Sequence, residues 1–158
     1  MKRRLCACLL VLVCLLSGCT DPVGMAVTHK DLTLILPGDF LDLSAESAGE
    51  GADFLYGRYT LVFKGLSESK AVLKKMTLEE YTAYVISCNK LTCTPVPSGD
   101  GYLFTYEASV GDTVYSYTTA TYESRENFWI LQFYCPKDKL EENQPEIDII
   151  LEGIQPGK

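Results

Sequence analysis

The 158-residue chain reads as an α+β domain, an antiparallel sheet covered by helices on both faces, and three patterns predict it. Tyr102 to Tyr134 contains three strand-length runs separated by tight polar turns. Two stretches, Leu78 to about Asn89 and Ile147 to Ile154, carry apolar residues at helical spacing. Phe128 to Cys135 (FWILQFYC) is apolar on both sides, as a strand is when its sheet is covered twice.

In chain order, Leu32-Thr33-Leu34-Ile35-Leu36 alternates and stops at Pro37-Gly38, which predicts a strand ended by a turn. Phe40, Leu41 and Leu43 continue extended, and Ser44 to Asp53 is a small, acidic, glycine-containing surface loop. Phe54 to Lys64 then reads as one strand, with Leu55, Tyr59, Leu61 and Phe63 on a single face. Thr77-Leu78-Glu79-Glu80 is a capping box: the Thr77 hydroxyl accepts a free helix-end N–H and Glu80 reaches back. Leu78, Tyr81, Val85 and Cys88 follow as one helical stripe. Pro95 to Gly101 is a loop.

Gly111-Asp112 joins the first two meander strands, with glycine supplying the positive φ of a type II′ hairpin. That turn sets the register, pairing Ala108 with Tyr115, Tyr106 with Tyr117 and Phe104 with Thr119. Tyr102, Phe104, Tyr106, Tyr115 and Tyr117 therefore share one face. Asp138-Lys139-Leu140-Glu141 repeats the capping pattern, and the stripe Ile147, Ile150, Leu151, Ile154 predicts a C-terminal helix broken or restarted at Pro145 and stopped at Gly153.

The opening strand Leu32 to Pro37, the helix beginning Thr77-Leu78-Glu79-Glu80-Tyr81, the meander and the Ile147/Ile150/Leu151/Ile154 helix together resemble the PsbP-like α/β/α sandwich, shared with Mog-type Ran-binding proteins. The resemblance spans Leu32 to Ile154. It implies a compact module that acts by binding, and it carries no catalytic signature to transfer.

The N-terminus has its own pattern. Met1-Lys2-Arg3-Arg4 is basic, Leu5 to Leu16 is uncharged and apolar, and Ser17-Gly18 are small, the order of a secretory signal. A dozen apolar residues fall short of the roughly 20 that span a bilayer as a helix. Leu16-Ser17-Gly18-Cys19 resembles the lipobox of bacterial lipoproteins, which implies removal of residues 1–18 and a diacylglyceryl group on Cys19. Residues 19–30 then read as lipidated cysteine and tether, and residues 31–158 as a single domain. The resemblance places the protein on the outer face of the cytoplasmic membrane, with the membrane as its first partner, because doubly acylated chains stay anchored where one acyl chain does not.

With 21 acidic against 14 basic residues the chain carries a net charge of −7, and loss of Lys2, Arg3 and Arg4 makes it more negative. Such a surface repels phosphate backbones, so nucleic-acid binding is not expected. An eleven per cent aromatic content, with ten tyrosines, supports a packed core.

The candidate chemistry is sparse. Cys88, Cys93 and Cys135 accompany Cys19 after processing, and Cys88 and Cys93 bracket a span able to close as a disulfide. The alternatives are Cys88 with Cys135, or all three reduced as buried thiols. No cofactor and no metal is expected, since the thiols lack CxxC spacing and a nearby histidine. The one histidine, His29, lies in the expected tether. Neither a GxSxG elbow nor a phosphate-binding glycine loop is present, so the chain is not expected to be an enzyme. The competing reading is a small carboxylate-dependent hydrolase using a pair such as Glu107 and Glu123. The leading one is a non-enzymatic binding or assembly module for an extracytoplasmic protein or small ligand. Its candidate binding face is Tyr106, Tyr115 and Tyr117, since aromatic rings with polar tips suit partly wet sites. If the two helices take opposite sheet faces, however, these tyrosines are expected to be core.

Overall fold

A computed structural model describes residues 24–45, 51–73 and 75–158. Among the described residues ten strands and two α-helices follow in order: β1 (Met25–His29), β2 (Leu32–Leu36), β3 (Leu41–Asp42), β4 (Phe54–Arg58), β5 (Leu61–Ser69), α1 (Leu78–Cys88), β6 (Val96–Ser98), β7 (Gly101–Val110), β8 (Thr113–Glu123), β9 (Asn127–Pro136), α2 (Leu140–Glu152) and β10 (Gln155–Pro156). A seven-stranded antiparallel sheet runs β3-β4-β5-β9-β8-β7-β6, and a three-stranded one runs β1-β2-β10.

Strand β9 divides the interior. Side chains alternate across a strand, so Trp129, Leu131, Phe133 and Cys135 point one way and Phe128, Ile130, Gln132 and Tyr134 the other. The odd-numbered set is buried in the larger core with Leu32, Leu34 and Leu36 of β2 and Ile147 and Ile150 of α2. Gly65 of β5 makes room there for the Phe54 ring, against which a Cβ would collide. The even-numbered side meets α1: Tyr81, Val85 and Ile86 form a second core with Phe104 and Phe128. Tyr81 stacks on Phe128 at 4.5 Å, and the buried hydroxyls of Thr82 and Thr121 share a 2.6 Å hydrogen bond.

Several local signals act as their chemistry dictates. The α1 capping box is complete, with Glu80 N–H donating to Thr77 Oγ1 at 3.2 Å and Thr77 N–H to Glu80 Oε2 at 2.8 Å. Gly111 takes φ +60°, and Tyr106 pairs with Tyr117 as the hairpin register requires.

Elsewhere the structure corrects the sequence. Met25–His29, expected in the tether, is β1, because β2 buries alternate leucines and needs a partner along its edge. Phe54 to Lys64 is not one strand but the β4–β5 hairpin, turned at Tyr59-Thr60 with Tyr59 at φ +50° and 91% exposed. The loop expected from Pro95 to Gly101 contains β6, paired with β7 through a second glycine turn, Gly99-Asp100. The Asp138 pattern caps nothing: a 3₁₀ turn, Lys137–Lys139, leads into α2 with no side-chain cap. Pro145 does not interrupt α2, since it is exposed and water can satisfy the carbonyl it leaves unpaired.

Asp31, in the β1–β2 turn, ties the two sheets. Its Oδ2 accepts from Ser124 Oγ (2.7 Å) and Glu126 N–H (2.9 Å), and its Oδ1 from Asn127 Nδ2 (3.0 Å) and Trp129 Nε1 (3.0 Å). Its backbone carbonyl accepts from Gly157 N–H at 2.7 Å. Partial burial pushes the carboxyl pKa up, but the bonds from Ser124, Asn127, the Glu126 amide and Trp129 outweigh it and hold it well below the usual carboxylate range. The folded state therefore binds this proton less readily than the unfolded chain. The stabilisation is complete above the ordinary aspartate pKa of about 3.9 and is lost as pH falls below it.

Two expectations follow for stability. Asp31→Asn should lower the thermal midpoint at pH 7 and flatten the acid limb of a stability–pH curve below about pH 4; an unchanged acid limb would remove Asp31 from this role. Thr77→Ala should cost about 1 kcal/mol in denaturant unfolding through the lost N-cap, and no measurable loss would mean that α1 folds without its box.

Candidate functional site

Tyr106, Tyr115, Tyr117 and Tyr134 lie on the same side of the seven-stranded sheet as α1, which covers that side only in part, whereas Tyr122 points into the larger core. Phe104 is 3% exposed beneath the helix. Beyond it runs a ladder of half-buried rings. Tyr106 stacks on Tyr117 with centroids 4.7 Å apart and planes within 1°, and Tyr117 stacks on Tyr134 at 5.5 Å. Tyr115 meets Tyr134 edge-on at 6.4 Å. The ladder arises from register, since Tyr106, Tyr117 and Tyr134 are directly cross-strand on β7, β8 and β9. Tyr106, Tyr115 and Tyr117 are thus brought together, and they are neither full core nor fully exposed.

At the inner end of the ladder, where it meets α1, lies a cavity of about 160 Å³. Its apolar wall includes Leu66, Val85, Leu91, Phe104 and Ile130. Its polar wall is Lys64, Asn89, Tyr106, Thr119 and Gln132, so among the described residues one cation and no carboxylate line it. Gln132 Nε2 donates to Tyr106 Oη at 2.6 Å, which leaves the phenolic proton free to donate. Asn89 Nδ2 is engaged by the Val85 carbonyl at 2.8 Å, leaving its oxygen unengaged by that bond. Thr119 is 1% exposed, and its hydroxyl lies beside that of Tyr106, where hydrogen bonding between them opposes the effect of burial on the Tyr106 pKa. Burial first, and neighbouring tyrosine hydroxyls second, raise the pKa values of Tyr106 and Tyr117, so both remain neutral donors at physiological pH. Lys64 Nζ lies 5.9 Å from the centre of the Tyr134 ring.

The other candidates resolve differently. Cys88, Cys93 and Cys135 are free thiols. Cys88 is exposed rather than on a buried stripe, because α1 buries Tyr81, Thr82, Val85 and Ile86 and turns Cys88 outward. Cys93 is half-buried beside the second core, and burial raises its pKa. His29 has partners after all: its Nε2 is 2.9 Å from Tyr56 Oη and its ring stacks on Phe54 at 4.3 Å, so it packs as part of β1. Burial lowers its pKa against the opposing pull of Asp42 and Asp53. Glu107 and Glu123 do not form a pair. Glu107 sits opposite Ser116, seven positions from Glu123 on β8 and on the other face, roughly 23 Å away at ~3.3 Å per residue, whereas glycosidase carboxylates lie about 5–9.5 Å apart. Each is bound to a lysine instead, Glu107 to Lys137 and Glu123 to Lys70. Among the described residues no group of three or more histidine, cysteine or acidic side chains could hold a metal, and no helix is long and apolar enough to cross a membrane. Cys19 lies outside the described residues.

No protein-family model and no curated protein matches the chain in sequence. Solved structures do match it in fold. A Bacteroides thetaiotaomicron protein aligns at TM-score 0.59 and 14% identity over 86% of this chain, which spans 49% of the length of that one. Cyanobacterial PsbP (CyanoP) of Synechocystis aligns at 0.58 and 10% identity, covering 88% of this chain and 95% of its own. LpqN of Mycobacterium tuberculosis, a protein involved in cell envelope biogenesis, aligns at 0.54 and 13% identity, covering 85% and 90%. With the Ran-binding protein Mog1p of Saccharomyces cerevisiae, which aligns at 0.54 and 10% identity, covering 84% and 94%, these likenesses define the class: an α+β domain of PsbP- and Mog-like fold, with antiparallel sheets and, among the described residues, two helices.

The ladder can be tested for what it contributes to folding. Tyr106→Ala should cost less than the roughly 3–5 kcal/mol of a fully packed aromatic. In a double-mutant cycle, Tyr106→Ala with Tyr117→Ala should show a coupling of about 0.5–1.5 kcal/mol, the range for a stacked pair. Strict additivity would mean that the rings merely lie near each other.

Proposed function

We propose that this chain is a bacterial lipoprotein, exported and held by lipid on Cys19 to the outer face of the cytoplasmic membrane, where its domain serves as a non-enzymatic binding or assembly module. The domain is read as an α/β/α sandwich in which α1 and α2 lie against opposite sides of β9, α2 sharing its side with the small sheet. The observation that carries the binding role is the tyrosine ladder. It is stacked and held in register by three strands, yet left half-open where the covering helix ends. A stacked, partly wet aromatic surface offers area without loss of side-chain freedom on binding. The likeness in fold to an envelope-biogenesis protein and to a Ran-binding protein supports a module of this kind. The separation of Glu107 from Glu123 counts against the carboxylate hydrolase.

Two arms test the proposal on intact cells. Cys19→Ala should abolish signal processing and move the protein out of the detergent phase in a partition assay; unchanged partitioning and an unchanged mature N-terminus would refute anchorage. A photo-reactive amino acid at position 117 should capture a specific partner that the same group at Glu141, on the exposed side of α2, does not. Equal capture at the two positions would remove the ladder from recognition.

A further inference from the structure

We infer that the cavity between α1 and the sheet is a binding site for a small planar organic monocarboxylate, with Lys64, Tyr106 and Thr119 receiving the carboxylate and the leucine, valine, isoleucine and phenylalanine wall receiving the ring. The inference deepens the binding reading above and rests on it for physiological meaning, but the site itself stands on the geometry.

Size comes first. A cavity of about 160 Å³ is close to the roughly 150 Å³ apolar cavity that holds one benzene ring elsewhere. A long alkyl chain would extend beyond it. Polarity comes second. A purely structural void would be lined by apolar groups, or its polar groups would be satisfied by one another. Here Thr119 is 1% exposed with its hydroxyl beside that of Tyr106, and two hydroxyls bonded to each other keep one proton that a ligand oxygen could accept. Tyr106 is fixed by the bond it accepts from Gln132, which aims its own proton elsewhere.

Charge decides the class. In a chain with 21 acidic residues, a pocket lined by a lysine and by no carboxylate selects anions locally while the surrounding surface repels highly charged ones. A phosphate or dicarboxylate would bring a second charge that nothing in the lining compensates. A single carboxylate matches one ammonium and the hydroxyl proton that the Tyr106–Thr119 pair leaves free. An ammonium-bearing ligand would find no acidic partner.

Benzoate is the probe, titrated into the full-length chain in detergent and followed by the methyl signals of Leu66, Val85, Leu91 and Ile130. Those signals should shift at about millimolar benzoate, as expected for so small a ligand. Lys64→Met should weaken benzoate binding about tenfold, the size of a charge-assisted bond, and leave neutral benzyl alcohol unaffected. Thr119→Val, nearly isosteric, should weaken benzoate by about three- to tenfold while the unshifted methyl spectrum reports an intact fold. A response unchanged by Lys64→Met, a response confined to methyls on the α2 side, or no response at millimolar benzoate overturns the assignment. If benzoate fails while position 117 still captures its partner, the pocket assignment alone falls. If benzoate binds in the cavity while position 117 captures nothing, the pocket stands and recognition by the ladder falls.

Discussion

The carboxylate of Asp31 is the constraint on which the rest of the architecture depends. One side chain receives bonds from the β8–β9 turn on both oxygens and from the indole of a buried tryptophan, while its backbone holds the chain's last residues. Charge-assisted bonds of this kind are stronger than neutral ones, and four on one group fix the angle at which the small sheet meets the large one. Once that angle is set, Leu32, Leu34 and Leu36 descend onto Trp129, Leu131 and Phe133, and α2 closes the remaining flank with Ile147 and Ile150. The larger core is thus assembled around a polar hinge point at its rim.

The opposite side of the sheet has no equivalent clamp. There a single helix of eleven residues, anchored by its capping box, by Tyr81 on Phe128 and by the Thr82–Thr121 bond, covers the end of the meander nearest Phe104. The strands β7 and β8 are longer than the helix can shade. Their outer halves must be finished by something else, and the sequence finishes them with tyrosines stacked in cross-strand register rather than with charged residues. The division between the two sides explains why one is a conventional apolar interior while the other grades from core, through a small cavity, to an open aromatic surface.

What was legible in the sequence was whatever depends on neighbours a few residues away. Thr77 and Glu80 define a helix start through their own side chains, and Gly111-Asp112 defines a turn and with it the pairing of Tyr106 with Tyr117. The turns at Lys30-Asp31 and Tyr59-Thr60 were not legible, because Lys30 and Tyr59 adopt positive φ without the glycine or asparagine that announces it; the strand pairing on either side imposes the conformation. The tether reading of Met25–His29 failed for the same reason, as a short strand takes its stability from the neighbour it pairs with. The candidate site was half legible. Its tyrosines and Thr119 share one local hairpin, whereas Gln132 joins them through the pairing of β8 with β9, Lys64 through the pairing of β5 with β9, and Asn89 through the seating of α1.

The sheet edges carry a consequence for how the protein behaves among copies of itself. Exposed edge strands are templates for main-chain pairing with another molecule. In the large sheet the outermost strands are short: β3 has two residues, and β6 has three, one of them Pro97, which offers no N–H. In the small sheet β10 has two residues and also contains a proline, Pro156, whereas β1 runs for five. Among the described residues β1 is thus the longest strand at the end of a sheet, yet β7 presents a longer unpaired edge, because β6 covers only Gly101–Leu103 and leaves Phe104–Val110 without an outer neighbour. Strand-by-strand association is therefore left two routes, the outer half of β7 beside the tyrosine ladder and the margin formed by β1.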